Sequence, residues 1–232
     1  MCFGFSTLDA KTKVMKRRNL TSLILLVSSI TAFAQAPKRI NRFPIGTFHQ
    51  KNVNITGISV GLFSGYGDFG EVAANVQTNG IRLEAIGLGL LSPLLPVSPI
   101  SDNEDEFKAK MAGRVSERIN GFNISPAGTM CNCITNGISA GAVGQVSRQI
   151  NGVSASIVLN MSEAHNGIQL SMFNESFAMN GIQIGLSNYG YRTHGLQIGI
   201  FNQSKNLKGI QIGLWNKNQK RKLPIVNWNF TN

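Results

Sequence analysis

The chain has 232 residues and a formal net charge of +11, with 22 basic residues against 11 acidic ones. Hydrophobic residues make up 42%, which excludes a disordered chain, and three cysteines are too few for a disulfide-rich scaffold. With three tyrosines and no recognisable nucleic-acid-binding module, the positive charge does not predict nucleic acid as a partner.

Residues 1–36 have the order of a signal peptide. Five basic residues precede an apolar stretch from about Leu20 to Phe33, and Ala32-Phe33-Ala34 supplies a small-x-small cleavage pattern. Met15 is an alternative start, because it would leave a charged n-region of normal length. A membrane anchor is less favoured, since the stretch is shorter than the roughly 20 residues of a spanning helix. The segment predicts export, and its removal with five bases and one acid lowers the net charge to +7.

Residues 37–232 are predicted to form one domain, which repeats a phrase of the type Gly-Ile-Gln-Ile-Gly-Leu-x-Asn. The period is 14 residues near the C-terminus and 15 or 16 in the units just before, and more degenerate copies lie upstream. A fixed short period indicates one structural element stacked on near-copies of itself. The nine units contain Gly57, Gly80, Gly121, Gly137, Gly152, Gly167, Gly181, Gly195 and Gly209.

Within each unit, apolar residues alternate with small or polar ones. Ile182, Ile184 and Leu186 would lie on one face of a strand, with Gln183 and Gly185 on the other. Period two with β-branched residues predicts strands, and the recurring Asn-Gly pair is a strong turn signal. The fold class is therefore all-β.

Two architectures satisfy a one-strand repeat. In a β-solenoid or β-roll, each unit is one coil with corners at an Asn column and at Asn-Gly, and identical amides stack as hydrogen-bonded ladders. In an antiparallel up-and-down outer-membrane β-barrel, each unit is a strand and a turn. The single-strand period and the lack of aromatic girdles favour the solenoid. The predicted ladder residues are Gln169, Gln183, Gln197 and Gln211, and Asn160, Asn174, Asn188, Asn202 and Asn216.

An insertion over 91–119 interrupts the array, because the spacing between Gly80 and Gly121 is 41 residues. It starts with a proline-rich loop, and a helix is predicted to follow, capped by Ser101. An apolar stripe would either lie on a membrane surface or pack against the array, and packing is favoured. The stripe consists of Phe107, Met111, Val115 and Ile119.

The C-terminal region contains a basic cluster and an aromatic strand. The strand, Leu223–Phe230, is expected to cap the stack or to be the last strand of the barrel alternative. The cluster is predicted either to face anionic envelope polymers or lipid headgroups, or to keep the end of the array soluble. Its members are Lys205, Lys208, Lys217, Lys220, Arg221 and Lys222.

No set of residues predicts catalysis, a cofactor or a metal site. Asp68 and Glu71 flank a glycine-rich turn, and His165 and His194 occupy similar places in their units without ligand spacing. Cys131 and Cys133 form a Cys-x-Cys pair for which a structural role is expected, because a bridge within a regular strand would be strained. We therefore expect a non-enzyme.

The repeat phrase, the stretch Asn120–Thr129 and the ending Leu223–Phe230 resemble a family of bacterial surface-repeat proteins over roughly residues 55–230. The resemblance implies an exported protein of the periplasm, outer membrane or cell surface, in a family whose members are mostly uncharacterised. Some members are described as lipoproteins, but this chain has no cysteine at the predicted cleavage site that follows its apolar stretch. In unit length the chain is also similar to the head repeats of trimeric autotransporter adhesins.

These expectations converge on an exported, non-catalytic cell-envelope repeat protein with a structural or surface-interaction role, presenting an Asn/Gln-lined surface. The alternatives are a small outer-membrane barrel that serves as an anchor or pore, and an enzyme acting on envelope polymers.

Overall fold

The structure is a computed structural model that describes residues 38–64 and 75–231. The predicted signal segment, 1–36, lies outside the described residues. The described strands form one sheet of twelve: β1 Ile40–Arg42, β2 Ile45–Thr47, β3 Val53–Gly61, β4 Val76–Glu84, β5 Glu117–Ser125, β6 Met130–Gly141, β7 Gly144–Ala155, β8 Leu159–Leu170, β9 Phe173–Ile184, β10 Ser187–Ile198, β11 Phe201–Lys217 and β12 Lys222–Asn229.

The register of these strands establishes a β-solenoid. From β3 to β11 every neighbouring pair is parallel, and each repeated glycine lies opposite the next, as Gly181, Gly195 and Gly209 do. Successive coils are therefore related by translation, as the one-strand period predicts, and the antiparallel alternative is wrong. Among the described strands, only β12 runs antiparallel to its neighbour, β11, so the predicted capping strand is confirmed.

The corners differ from those predicted. The strands continue through Asn-Gly, and the chain turns at a two-residue corner such as Gly185-Leu186 instead. At Asn180-Gly181 the strand only bends, because Gly181 adopts a φ of 137°. A Cβ on Gly181 would collide with the carbonyl oxygen of Gly167 in the coil before, so the close stacking of backbones requires glycine here.

The insertion runs from the end of β4 to the start of β5 and contains a 3-10 helix, Leu88–Leu94, and α1, Glu104–Ala112. Asn103 rather than Ser101 caps α1, its side chain accepting a hydrogen bond of 2.9 Å from the backbone N–H of Glu106. The helix ends before Val115, and Ile119 belongs to β5, so the predicted stripe is too long.

The two ends of the coil stack are closed differently. At the N-terminal end, β1 and β2 form a partial coil joined by a cis Phe43–Pro44 bond, and the buried Phe48 ring fills the interior beside Val53 and Ile55. At the C-terminal end, Asn227 of β12 donates a 3.2 Å hydrogen bond to Gln211.

Cys131 and Cys133 form a disulfide, and both are buried against Ile119. The expectation that a bridge would be disfavoured assumed a regular strand. A register shift in β6 between Cys131 and Ile134 changes this spacing, and the two Cα atoms lie 5.2 Å apart, within the usual range for a disulfide.

Candidate interaction surface

Polar side chains form two columns in the interior of the solenoid, beside a buried column that is largely apolar and includes Ile119, Ile150 and Leu207. Three members of the predicted Gln column donate to the Gln of the preceding coil, at 2.8 Å from Gln183 to Gln169 and 2.7 Å from Gln197 to Gln183 and from Gln211 to Gln197. Gln169 begins the column and donates to the backbone carbonyl of Asn160 at 2.7 Å. Each also donates to a backbone carbonyl, as Gln197 does to Gln203 at 3.3 Å. The column is fully buried, so these amides satisfy one another and form no surface.

The second predicted column is also internal, and its hydrogen bonds point the opposite way along the stack. Asn174 donates to Asn188, Asn188 to Asn202 and Asn202 to Asn216, at 2.8 to 2.9 Å. Asn160 instead accepts a bond of 2.9 Å from Ser154. Because both columns are buried, the predicted Asn/Gln-lined surface is wrong.

A third ladder, which was interpreted from the sequence as a series of turns, lies on the outside. Its residues directly precede the repeated glycines, and five of them donate 2.7 to 2.8 Å bonds to their counterparts in the coil before: Asn120, Asn136, Asn151, Asn166 and Asn180. Asn79, the first of the row, donates at 2.9 Å to Asn54, because its own counterpart is Thr56. His194 and Lys208 continue this row without amides. The recurrence of Asn at one register position was the signal that could have indicated a ladder.

In β4 the Gln column is replaced by a buried arginine. Arg82 lies 2.8 Å from the Glu117 carboxylate and 3.3 Å from that of Glu84, and it donates to Asn123 at 2.8 Å. Its guanidinium also stacks under the Phe48 ring at 3.9 Å. Burial raises the pKa of Glu117, although Arg82 opposes that shift. This cluster holds the N-terminal coils together and is closed to solvent.

The outward side chains after each repeated glycine form what we call the apolar face. They occupy two rows, the first and third residues after the glycine, in register over ten strands. Every member is exposed or half-buried and none is charged or polar. The first row is Ile58, Ile81, Phe122, Ile138, Val153, Ile168, Ile182, Leu196, Ile210 and Trp228; the second is Val60, Leu83, Ile124, Ala140, Ala155, Leu170, Ile184, Ile198, Ile212 and Val226.

The apolar face is large for a surface open to water. Ten strands spaced about 4.8 Å apart give a length of roughly 43 Å, and with two rows of side chains the area is on the order of 600 Å². That value lies at the upper end of the largest patches found on typical monomers. A third outward row at the corners, which includes Met172, Leu186 and Ile200, borders a groove of about 820 Å³ beside it.

The basic cluster is divided among three places. Lys208 lies in the outer Asn row, next to the apolar face. Lys217 and Lys222 face each other across β11 and β12, and Arg221 stacks on the Trp228 ring of the apolar face at 4.4 Å. Lys220 donates to Thr231 at 2.6 Å. Lys205 lies elsewhere, above the Tyr191 ring at 4.7 Å. Among the described residues, no acid pairs with any of the six.

A different outer surface, the covered flank, is sealed by the insertion. Phe107 of α1 stacks on Phe177, and Phe177 on Tyr191, with ring centroids 4.4 and 4.3 Å apart. Lys110 lies 2.9 Å from the buried Glu163 carboxylate. Helix packing against the array is therefore confirmed, and the contacts exclude a free amphipathic surface helix.

The residues considered for catalysis do not converge. His165 is buried inside the coils, where burial lowers its pKa to about 4, while His194 is exposed in the outer Asn row. Asp68 and Glu71 lie outside the described residues. No group of three metal-ligating side chains occurs within 38–64 and 75–231.

Comparison with protein-family models, curated proteins and solved structures finds no match. In the part of the chain that the structure describes, no helix combines the length and the apolar character needed to cross a membrane.

Proposed function

We propose that this chain is a non-catalytic repeat protein of the bacterial cell envelope that lies on a lipid surface through its apolar face. The observation that supports this function is the face itself, ten strands long and without one charged side chain. Burial of about 600 Å² at 25 cal/mol per Å² contributes on the order of 15 kcal/mol before the costs of association.

The charge distribution supports a lipid partner. No acid of the described residues lies on this face. The described acids lie in the interior, on the covered flank or in the insertion that packs there. They are Glu84, Asp102, Glu104, Asp105, Glu106, Glu117, Glu163 and Glu175. Trp228 and Arg221 lie together at the C-terminal end of the face. Tryptophan and basic residues are the side chains that interfacial membrane proteins concentrate at the headgroup level.

Export would place the chain in the cell envelope, where this role requires it. The segment 1–36 has the charged, apolar and cleavage regions of a signal peptide, and the repeat phrase resembles envelope proteins. Expression of the full chain in a bacterial host, followed by N-terminal sequencing of the envelope fraction, tests it. We expect a mature chain that starts at Gln35 or shortly after; an intact N-terminus in the cytoplasmic fraction would contradict export.

Vesicle flotation tests the lipid partner. The mature chain should float with vesicles that contain about one third anionic phospholipid, and less with purely neutral ones, because the basic end adds roughly 1 kcal/mol per residue near the surface. The double variant Ile138→Glu/Ile182→Glu should lose flotation, since it places two charges in the face. The control Ala109→Glu/Ala112→Glu adds the same charge on the exposed side of α1 and should float normally.

A wild-type chain that remains in the protein fraction with both vesicle types would overturn the proposal. So would a stable dimer in sedimentation that buries the apolar face and does not dissociate on vesicles.

A further inference from the structure

The groove beside the apolar face has a regular construction. Its walls are the second row of the face, such as Ile184 and Ile198, and the corner row, such as Leu186 and Ile200. Its floor is a column of small residues that includes Gly185 and Gly199. The groove is about 820 Å³ in volume, a size typical of ligand sites, and no charged residue lines it.

Backbone stacking fixes the floor. A Cβ on Gly199 would collide with the carbonyl oxygen of Gly185, and one on Gly213 with that of Gly199. These positions therefore cannot carry larger side chains, and the floor runs straight along the axis of the stack. The result is a linear apolar channel, open on one side, whose shape is set by the main chain.

The length of the groove fits one lipid acyl chain. Its lining extends from Ile157 in the loop before β8 to Ile225 in β12, which spans six strands and thus roughly 24 Å. One leaflet of a bilayer, and so one acyl chain, measures about 15 Å, half of the hydrocarbon thickness. A whole chain can therefore lie along the axis within the groove.

Two lysines lie close to the C-terminal end of the groove, although they do not line it. Ile225 lies three residues after Lys222, and Lys222 faces Lys217 across the last two strands. Neither lysine is paired with an acid among the described residues, and no described acid lies on the apolar face. A second copy of this chain that packed through the same apolar face would bring no complementary charge to this end, whereas an anionic headgroup would.

We propose that the groove binds one acyl chain of an anionic membrane phospholipid, with its headgroup at Lys217 and Lys222. The inference rests on the proposed function for the supply of lipid, because the groove adjoins the face that lies on the bilayer. It adds to that function a site for one lipid per protein and a fixed orientation of the bound acyl chain.

Calorimetric titration with monomeric lysophosphatidylglycerol that has a 16-carbon chain tests the site. Ile184 lines the groove, whereas Ile138 belongs to the same face but lies outside it, and both side chains are 41% exposed. Ile184→Glu should weaken binding at least about tenfold, since a charge would be desolvated against the chain. Ile138→Glu places its charge on the apolar face but outside the groove, so it should weaken lysolipid binding clearly less than Ile184→Glu does. Circular dichroism establishes that both variants fold.

Two further arms test the placement of the lipid. Lys217→Gln/Lys222→Gln should weaken lysophosphatidylglycerol several-fold but leave monopalmitoylglycerol, which is neutral, unchanged. An 8-carbon lysophosphatidylglycerol should bind more weakly than the 16-carbon one, because it fills only part of the groove.

The results separate this inference from the proposed function. Equal effects of Ile184→Glu and Ile138→Glu on lysolipid binding, with vesicle flotation intact in wild type, would overturn the groove site and leave the lipid-surface function standing. Loss of flotation in wild type would overturn both. An unchanged affinity of the lysine double variant would overturn the headgroup placement.

Discussion

The coils present apolar side chains outward on two surfaces, and the insertion covers only one of them. On the covered flank, Phe177 and Tyr191 are sealed by Phe107 of the insertion. On the apolar face, ten strands of equally apolar residues have no cover from the described residues. The difference indicates that stability resides in the interior of the coils and in the covered flank. The apolar face contributes to association with something outside the chain.

The largest expected effect is on the covered flank. Phe177→Ala should lower the free energy of unfolding by about 3–5 kcal/mol, because it removes a fully buried ring between two stacked neighbours. The matched variant Phe122→Ala alters a ring of the apolar face that is 47% exposed, and it should cost less than about 1 kcal/mol. Urea unfolding measures both free energies, and equal losses would contradict the conclusion that the covered flank, rather than the apolar face, stabilises the fold.

The next effect comes from the interior and depends on pH. Burial lowers the pKa of His165 to about 4, below the ordinary value of 6.5, so the folded state resists protonation. Stability contributed by the neutral ring is fully present above pH 6.5 and is lost as pH falls toward 4. The loss amounts to about 3 kcal/mol, since each pKa unit corresponds to about 1.4 kcal/mol.

The variant His165→Met isolates this contribution. Burial raises the pKa values of Glu117 and Glu175, so these carboxyls shift stability in the opposite direction as the pH falls. The measured quantity is therefore the difference in the free energy of unfolding between wild type and His165→Met at each pH. A difference that stays constant from pH 7 to about pH 4 would show that His165 is not the group responsible.

A smaller effect is expected in the Gln ladder. Gln197→Leu leaves the side-chain oxygen of Gln183 without its ladder donor and removes the acceptor of Gln211, at a cost of roughly 1–3 kcal/mol. Asn180→Leu breaks one bond of the outer ladder, where water replaces the lost partner, and should cost under about 1 kcal/mol. Thermal unfolding of the two variants compares the buried and exposed ladders directly. Equal losses of stability would show that burial does not increase the contribution of a ladder hydrogen bond.

The smallest effect concerns the polar clamp of α1. Lys110→Met leaves the buried Glu163 carboxylate without its cation, but Lys110 is one-third exposed, so a loss of about 1 kcal/mol is expected. Lys108→Met on the exposed side of the same helix should change stability by less than about 0.5 kcal/mol. Indistinguishable values would mean that aromatic stacking alone holds the insertion.

The period of the sequence predicted the stacked coils because translation by one unit superimposes identical residues only in parallel register. It could not predict which side of each strand faces inward. After the repeated glycine the amides point inward, because the coils before and after satisfy them, and the apolar residues point outward. Asn-Gly was interpreted as a turn because its local preference is strong, yet stacking against Gly167 holds Gly181 of the Asn180-Gly181 pair within a bent strand.

Features that depend on a single coil were the least predictable. Arg82 occupies a position that holds Gln in later coils, and its role depends on Glu117, 35 residues away. The groove also escaped prediction, because its floor glycines belong to the strand pattern and its walls come from two rows that the sequence separates.

The opposed directions of the two buried ladders have a consequence for how the array can change in length. Side-chain dipoles that all pointed one way would add with every coil and give the array a net dipole that grows with its length. In this chain the buried Gln side chains donate toward the N-terminal coils and the buried Asn side chains toward the C-terminal coils, so the dipoles of these two ladders oppose each other. A duplicated or deleted unit adds or removes one bond of each buried ladder, and the combined dipole of the two ladders therefore changes little with the number of coils.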